Sequence, residues 1–239
     1  MNIKRHIPNC ITLCNLLCGC LAIQWIVGEN HNLFYASLLV ITGAIFDFFD
    51  GFAARLLKVS SPIGAELDSL ADVVTFGLVP ALIAQKLLLD TGYFAANSLV
   101  NYIPLIIALL SALRLAKFNV DTRQTEGFIG VPTPANALLW ISFPLVFATN
   151  TSNLPFWIAP FLSNGYAILV LSVVSALLLI SNLPLIALKF KQFSWKGNEA
   201  RFTLILGSLL LLVVFHFAAI PIILLLYLFL SLIFQPKQL

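Results

Sequence analysis

The sequence predicts an all-α fold, a polytopic transmembrane helical bundle of about eight spans in a single membrane-embedded domain over residues 1–239. Composition is the first reason: of the 239 residues, 60% are apolar and 10% are charged, whereas a soluble domain carries about 25% charged residues. Length is the second reason, because the apolar residues fall in runs close to the ~20 that a helix needs to cross a bilayer. The distribution of the basic residues is the third.

Eight segments have the length and hydropathy of membrane spans. The predicted spans are residues 10–28, 33–54, 68–89, 99–117, 134–150, 165–185, 200–216 and 218–235. The last two are separated only by a tight turn near Ala218 to Pro221.

With eight spans and both ends on one side, eleven of the thirteen basic residues fall on that same side. They are Lys4, Arg5, Arg55, Lys58, Lys117, Arg123, Lys189, Lys191, Lys196, Arg201 and Lys237. Because basic residues concentrate in cytoplasmic loops, this side is predicted to be cytoplasmic, residues 55–67 included. The net charge of +3 then reflects loops that face anionic lipid, and no nucleic-acid partner is expected.

Five of the ten acidic residues lie between Asp47 and Asp72, at the facing ends of the second and third predicted spans. An aspartate at the centre of a membrane helix costs about 2.5–3.5 kcal/mol, and less near the interface. A cluster of carboxylates at this place therefore requires a compensating charge. A divalent cation meets that need, since oxygen ligands suit Mg²⁺ and Mn²⁺.

Helical geometry places the functional residues of the second span on one face. At about 100° per residue, Asp50 lies roughly 60° from Asp47, and Gly51 roughly 40° from it on the other side. Ala54 returns to within about 20° of Asp47, and Arg55 lies at the edge of this face. The small residues leave room for a ligand to approach the helix backbone.

On the third span, Asp68 and Asp72 are four residues apart and share a face, with Gly64 one turn earlier. Two antiparallel helices that each present two carboxylates would form a cup at the cytoplasmic border. Such a cup can hold two cations and clamp a pyrophosphate between them. A lone intramembrane aspartate could instead be a proton relay or a contact between helices, but four at these spacings are not explained in that way.

Taken together, these residues resemble the signature of the CDP-alcohol phosphatidyltransferase family, with each specified position filled. The segment reads Asp47-x2-Asp50-Gly51-x2-Ala54-Arg55-x8-Gly64-x3-Asp68-x3-Asp72. Family-like features extend to about residue 140 and include an N-terminal entry segment ahead of the first span, with Pro8, Asn9, Thr12 and Asn15.

The resemblance implies that an alcohol attacks the lipid-side phosphorus of CDP-diacylglycerol and that CMP leaves. It also implies that Asp47, Asp50, Asp68 and Asp72 bind two divalent cations, Mg²⁺ or Mn²⁺, and that Asp72 deprotonates the alcohol. The residues it assigns to the nucleotide are Asn9, Thr12, Asp47, Gly51, Ala54 and Arg55. A homodimer in a prokaryotic cell membrane is likewise what the resemblance implies.

Four further strings resemble the phosphatidylserine synthase branch of that family, which implies serine as the acceptor. They are ELDSLAD at 66–72, FGLVPA at 76–81, RLAKFN at 114–119 and GFIGVPTPA at 127–135. In such a site Glu66 could face the ammonium group, Arg114 or Lys117 the carboxylate, and Asn119 either end. Arg114 could equally neutralise the aspartates or bind a lipid phosphate, Lys117 could anchor a cytoplasmic loop, and Glu66 could open a helix.

Other functions predict different patterns. An ion-coupled transporter would place its acids near the bilayer midplane in broken helices, whereas these acids lie at one border. Glycerol 3-phosphate or an inositol phosphate as acceptor would require additional arginines for the phosphate, and only Arg114 and Arg123 are candidates outside the signature. A membrane scaffold without chemistry does not account for the aspartates.

Overall fold

A computed structural model describes residues 6–59, 61–120, 128–149, 158–186, 194–195 and 197–234. Ten α-helices lie within these residues: α1 His6–Val27, α2 Leu33–Leu57, α3 Pro62–Asp72, α4 Val79–Asp90, α5 Ile106–Val120, α6 Thr133–Thr149, α7 Ile158–Leu162, α8 Gly165–Ile180, α9 Glu199–Phe215 and α10 Ala219–Ile233. Strands β1, Phe128–Ile129, and β2, Pro184–Leu185, form a short antiparallel pair. The predicted all-α polytopic bundle is confirmed.

Five helical segments among the described residues are long and apolar enough to cross a membrane. They are His6–Val27, Leu33–Leu57, Pro62–Asp90, Leu99–Val120 and Glu199–Ile233, and shorter apolar helices cover Thr133–Thr149 and Gly165–Ile180. The third segment is continuous because a π-helix, Val73–Leu78, joins α3 to α4. The fourth begins with a 3₁₀-helix, Leu99–Leu105, that leads into α5.

The last of these segments folds back on itself. Helix α9 ends at Phe215, and the 3₁₀-helix His216–Ala218 connects it to α10. The two helices pack side by side, since a Cβ added at Gly207 would lie 3.1 Å from the Leu226 side chain. The tight turn predicted near Ala218 to Pro221 is therefore confirmed. It is formed by His216–Ala218, so it ends before Pro221.

Two predicted boundaries at the start of helices were wrong. The third span was expected to begin at residue 68, but α3 begins at Pro62, where Ser61 caps the helix by accepting a hydrogen bond from the Gly64 amide at 3.0 Å. Proline at the first position of a helix needs no hydrogen-bond partner, which favours this start. The N-terminal segment that contains Asn9 and Thr12 was expected ahead of the first span, but both residues lie within α1.

Helices α1 and α2 and the π-helix pack at close range. A Cβ at Gly19 would lie 2.5 Å from Thr75 Oγ1, and one at Gly43 would lie 2.7 Å from Thr75 Cγ2. Small residues allow such an approach of membrane helices. The Thr75 hydroxyl also donates to the Asn15 carbonyl at 3.1 Å, so a hydrogen bond adds to the packing of the π-helix on α1.

The bundle has two chemically different ends. The aspartate end, where Asp47 and Asp68 lie, also carries Arg55, Lys58, Lys117 and Arg201, the described members of the basic set. The opposite end carries aromatic pairs, with ring centroids 5.0 Å apart for Trp25 and Tyr35 and 5.1 Å apart for Tyr93 and Tyr166. Aromatic side chains of this kind are enriched at membrane interfaces. The other seven predicted cytoplasmic basic residues lie outside the described residues.

Candidate active site

Helices α2 and α3 bring three aspartates together at the aspartate end. Asp47 and Asp50 come from α2 and Asp68 from α3, and one carboxylate oxygen of each lies within 4.8 Å of the others. We call these three residues the aspartate triad. Three of the four carboxylates that were predicted to converge from two helices thus lie together in the structure.

The aspartate triad is a chemically suitable cation site. Its ligands are carboxylate oxygens, which Mg²⁺ and Mn²⁺ prefer. Asp68 Oδ1 is also buried without a hydrogen-bond partner among the described residues, and a buried carboxylate oxygen without a partner is energetically costly. A bound cation would satisfy this oxygen.

Helix α1 holds one member of the triad in place. The Thr12 hydroxyl donates to Asp50 Oδ2 at 2.6 Å, and both side chains are buried. A short hydrogen bond to an ionised carboxylate is stronger than one between neutral groups. Thr12 therefore fixes the orientation of Asp50 from a different helix.

Asp72 lies one turn beyond Asp68 on α3 and is buried, with 8% of its surface exposed. It lies beside the triad, in side-chain contact with Asp47. The side-chain amide of Asn15 on α1 donates to Asp72 Oδ1 at 3.2 Å. Sequence reasoning placed Asn15 in the N-terminal segment without a role, because a contact between residues 57 positions apart leaves no local pattern.

A cavity of about 220 Å³ opens beside the triad, between α1, α2 and α3. It is lined by Pro8, Asn9, Thr12, Asp50, Gly51, Ala54, Val59, Ser61, Gly64, Ala65 and Asp68. Four of the six residues predicted to bind the nucleotide line this cavity: Asn9, Thr12, Gly51 and Ala54. Of the other two, Asp47 belongs to the triad, and the Arg55 guanidinium lies over Gly51, 3.6 Å from where a Cβ would be.

Arg114 on α5 is the one buried cation among the described residues, with 7% of its surface exposed. Its Nη1 donates to the Thr133 hydroxyl at 3.3 Å, and its guanidinium lies 5.9 Å from the Phe118 ring centroid. It is close enough to Asp72 to interact electrostatically, yet it forms no ion pair within 4.0 Å with a described carboxylate. Its Nε is buried without a partner in the described part of the chain.

The other residues predicted to bind the acceptor are not buried as Arg114 is. Glu66, Lys117 and Asn119 are all exposed. Asn119 donates to the Ser69 hydroxyl at 2.9 Å and so links the end of α5 to α3. Thr133, which sequence reasoning did not single out, is fully buried against Arg114. Its position at the start of α6, within the string at 127–135, was the available signal.

The residues of the candidate active site lie within the part of the chain that matches a known protein family. Residues 5–180 match the family model described as CDP-alcohol phosphatidyltransferase. That range includes the triad, Asp72, the cavity and Arg114. Helices α9 and α10 lie beyond it.

Several curated relatives carry the name CDP-diacylglycerol–serine O-phosphatidyltransferase. The protein from Bacillus subtilis is 39% identical over 157 residues, which are 64% of this chain and 85% of that protein. The protein from Methanocaldococcus jannaschii is 39% identical over 57% of this chain and 59% of its own length. The one from Helicobacter pylori is 36% identical over 55% of this chain and 54% of its own. The match thus spans most of the first relative and just over half of the other two.

Proposed function

This chain belongs to the CDP-alcohol phosphatidyltransferase family, and from that premise we propose that it transfers a phosphatidyl group from CDP-diacylglycerol to the hydroxyl of L-serine, giving phosphatidylserine and CMP. The names of the relatives support serine as the acceptor. The observation that carries the proposal is the aspartate triad beside a cavity lined by Asn9, Gly51 and Ala54.

The triad is the proposed ligand set for one divalent cation, Mg²⁺ or Mn²⁺, and Asp72 would contribute to a second. When bound, these cations neutralise the diphosphate and make CMP a better leaving group. The cavity would hold the CMP portion. Gly51 and Gly64 keep the helix backbones accessible there, because a Cβ at Gly64 would lie 3.0 Å from Asn9 Oδ1.

Asp72 is the proposed general base. The serine hydroxyl oxygen forms a bond to the lipid-side phosphorus, the bond from that phosphorus to the CMP oxygen breaks, and the hydroxyl proton passes to the Asp72 carboxylate. Asn15 donates to one oxygen of this carboxylate, which orients the group toward the acceptor. Positioned proton transfer of this kind contributes about 10²–10⁴-fold to a rate.

Arg114 is the proposed ligand of the serine carboxylate. Its unpartnered Nε and its burial leave a guanidinium donor without an acceptor next to the proposed base. A carboxylate matches the fork of guanidinium donors. An acceptor with a phosphate dianion would call for further buried cations, and Arg114 is the one that the described residues contain. The exposed Glu66, Lys117 and Asn119 remain predictions for the mouth of the site.

The setting of the reaction follows from its substrates. One substrate is a lipid and the other is water-soluble, so the site has to lie at a membrane interface. The aspartate end of the bundle meets this requirement. We propose a multi-pass protein of a prokaryotic cell membrane, with the aspartate end at the cytoplasmic face as the basic residues predict, and a homodimer.

The proposal is tested by CMP release from purified protein with CDP-diacylglycerol and Mn²⁺. Serine, glycerol 3-phosphate, inositol 1-phosphate and no acceptor are compared. Release that depends on serine is expected. CMP release with a phosphorylated acceptor alone would support the transfer reaction and overturn the assignment of serine as the acceptor. If folded protein released no CMP with any acceptor, the proposed transferase activity would be overturned. In that last case, binding of cations without turnover would favour the ion-coupled transporter.

A further inference from the structure

Two side chains of helix α10 form hydrogen bonds with the backbone of one residue, Ile186, which precedes α9 in the chain. The Tyr227 hydroxyl donates to the Ile186 carbonyl at 3.1 Å, and the Ser231 hydroxyl accepts from the Ile186 amide at 3.2 Å. Ile186 is buried, so these two hydroxyls satisfy backbone groups that would otherwise lack partners in an apolar environment.

Ile186 ends a segment that leads back to the candidate active site. We call residues 181–186 the strap. Its strand β2 pairs with β1, and the Gly130 amide donates to the Leu183 carbonyl at 3.0 Å. Gly130 has φ +75°, and a Cβ there would lie 3.0 Å from the carbonyl oxygen of Ser181, the first residue of the strap. The strap is therefore in close contact with the chain that follows β1.

Strand β1 leads within four residues to Thr133, the first residue of α6. Thr133 is fully buried and accepts the hydrogen bond from Arg114 Nη1. A continuous series of contacts thus runs from α10 through the strap and β1 to the guanidinium proposed to bind the acceptor.

We propose that Tyr227 is a positioning residue for the acceptor site, which it supports by holding the strap and, through it, Thr133 and Arg114. This inference rests on the proposed function, and it gives a role to a helix that lies outside the matched family range. Loss of the Tyr227 hydroxyl leaves the Ile186 carbonyl without its partner and loosens the strap. Among the described residues, neither the strap nor Tyr227 lines the cavity between α1, α2 and α3 that is proposed to hold the CMP portion.

The test is the steady-state kinetics of Tyr227→Phe, which keeps the ring and removes the hydroxyl. We expect the KM for serine to rise about threefold to tenfold, with the KM for CDP-diacylglycerol and the kcat at saturating serine within about twofold of wild type. Ser231→Ala should produce the same pattern, and Ser231→Thr, which retains the hydroxyl, should restore the wild-type KM. Tyr102→Phe, an exposed tyrosine on the 3₁₀-helix before α5, is the matched control.

Wild-type protein is assayed first, because absence of serine-dependent CMP release would overturn the proposed function and this inference together. Normal wild-type kinetics with an unchanged serine KM in Tyr227→Phe and Ser231→Ala would overturn the inference alone. So would an equal change in both KM values, or loss of folded protein in both variants with Tyr102→Phe intact. Those outcomes would assign α10 a purely structural role.

Discussion

Asp72 is the residue on which the proposed proton transfer depends, and its neighbours make the prediction specific. Asp72→Asn keeps the size of the side chain and its contact with Asn15 but removes the basic carboxylate. We expect kcat to fall by about 10²–10⁴-fold. The measurement is CMP release at saturating substrates.

The control for this change is Asp90→Asn, because Asp90 is exposed at the aromatic end and pairs with Lys86 at 2.9 Å. It should retain wild-type activity. An Asp72→Asn protein that is folded and turns over at more than about a tenth of the wild-type rate would contradict a general-base role.

Arg114 carries the prediction for acceptor affinity. In Arg114→Gln the side chain still reaches the pocket but has lost its charge, so the KM for serine should rise about tenfold or more, since hydrogen bonds to charged groups contribute about 1.5–3 kcal/mol. Steady-state kinetics with serine varied against fixed CDP-diacylglycerol measure this. Lys86→Gln, at the other end of the bundle, should leave both KM values unchanged. An unaltered KM for serine in Arg114→Gln would show that Arg114 does not bind the serine carboxylate.

At the scale of single residues, the sequence predicted the signature aspartates but not most of their hydrogen-bond partners. Asp47 and Asp50, and Asp68 and Asp72, share helix faces because of their three- and four-residue spacing, so their convergence could be predicted. The contacts that orient them link distant positions. Thr12 and Asp50 are 38 residues apart, and Asn15 and Asp72 are 57 apart. Such pairs follow from the packing of α1 on its neighbours, which no local pattern encodes.

At the scale of elements, the structure separates glycines needed for packing from a glycine that serves the site. A Cβ at Gly43 would lie 2.7 Å from the Thr75 side chain, whereas one at Gly51 would meet nothing closer than 3.6 Å. Gly43→Ala should therefore destabilise the protein by about 1–3 kcal/mol. Gly51→Ala should leave the unfolding midpoint unchanged and weaken CDP-diacylglycerol binding. Thermal unfolding in detergent and the KM for CDP-diacylglycerol check the two expectations.

The opposite pattern would contradict this assignment. A Gly51→Ala protein with a lowered unfolding midpoint and an unchanged KM would make Gly51 a packing residue. In the same way, an unfolding midpoint in Gly43→Ala equal to that of wild type would show that Thr75 can move away at little cost.

The π-helix after Asp72 illustrates what could not be predicted about elements. Its hydrogen bonds run between residues five apart, as from the Val79 amide to the Val74 carbonyl. Pro80 has no amide to donate, which disturbs the regular ladder at this place. The sequence contained Pro80 and Gly77, but the same string was compatible with an ordinary helix, so a single helical span was predicted without its π-helical segment.

At the scale of the whole molecule, the main prediction concerns orientation. In a cysteine-free background, Val120→Cys places an exposed thiol at the aspartate end and Asp90→Cys one at the aromatic end. An impermeant maleimide added to intact cells should label Asp90→Cys, and should label Val120→Cys only after the membrane is opened. The reverse labelling would place the aspartate end outside the cytoplasm.

The fold class was predictable because a run of about 20 apolar residues crosses a bilayer as a helix, which satisfies its backbone hydrogen bonds internally. The eight apolar segments and the turn near Ala218 followed from the same argument. The contact of Tyr227 on α10 with Ile186 was not predictable, because membrane helices associate through packing that leaves a weak signal in one sequence.

The central claim is that this chain joins serine to a phosphatidyl group, and the most direct test is the lipid product itself. Purified protein is incubated with CDP-diacylglycerol, isotopically labelled serine and Mn²⁺, and the lipids are analysed by mass spectrometry. We predict labelled phosphatidylserine in amounts equal to the CMP released, none after chelation of the metal, and recovery when Mn²⁺ is restored. CMP release without labelled phosphatidylserine, or product formation that survives complete chelation, would contradict the account.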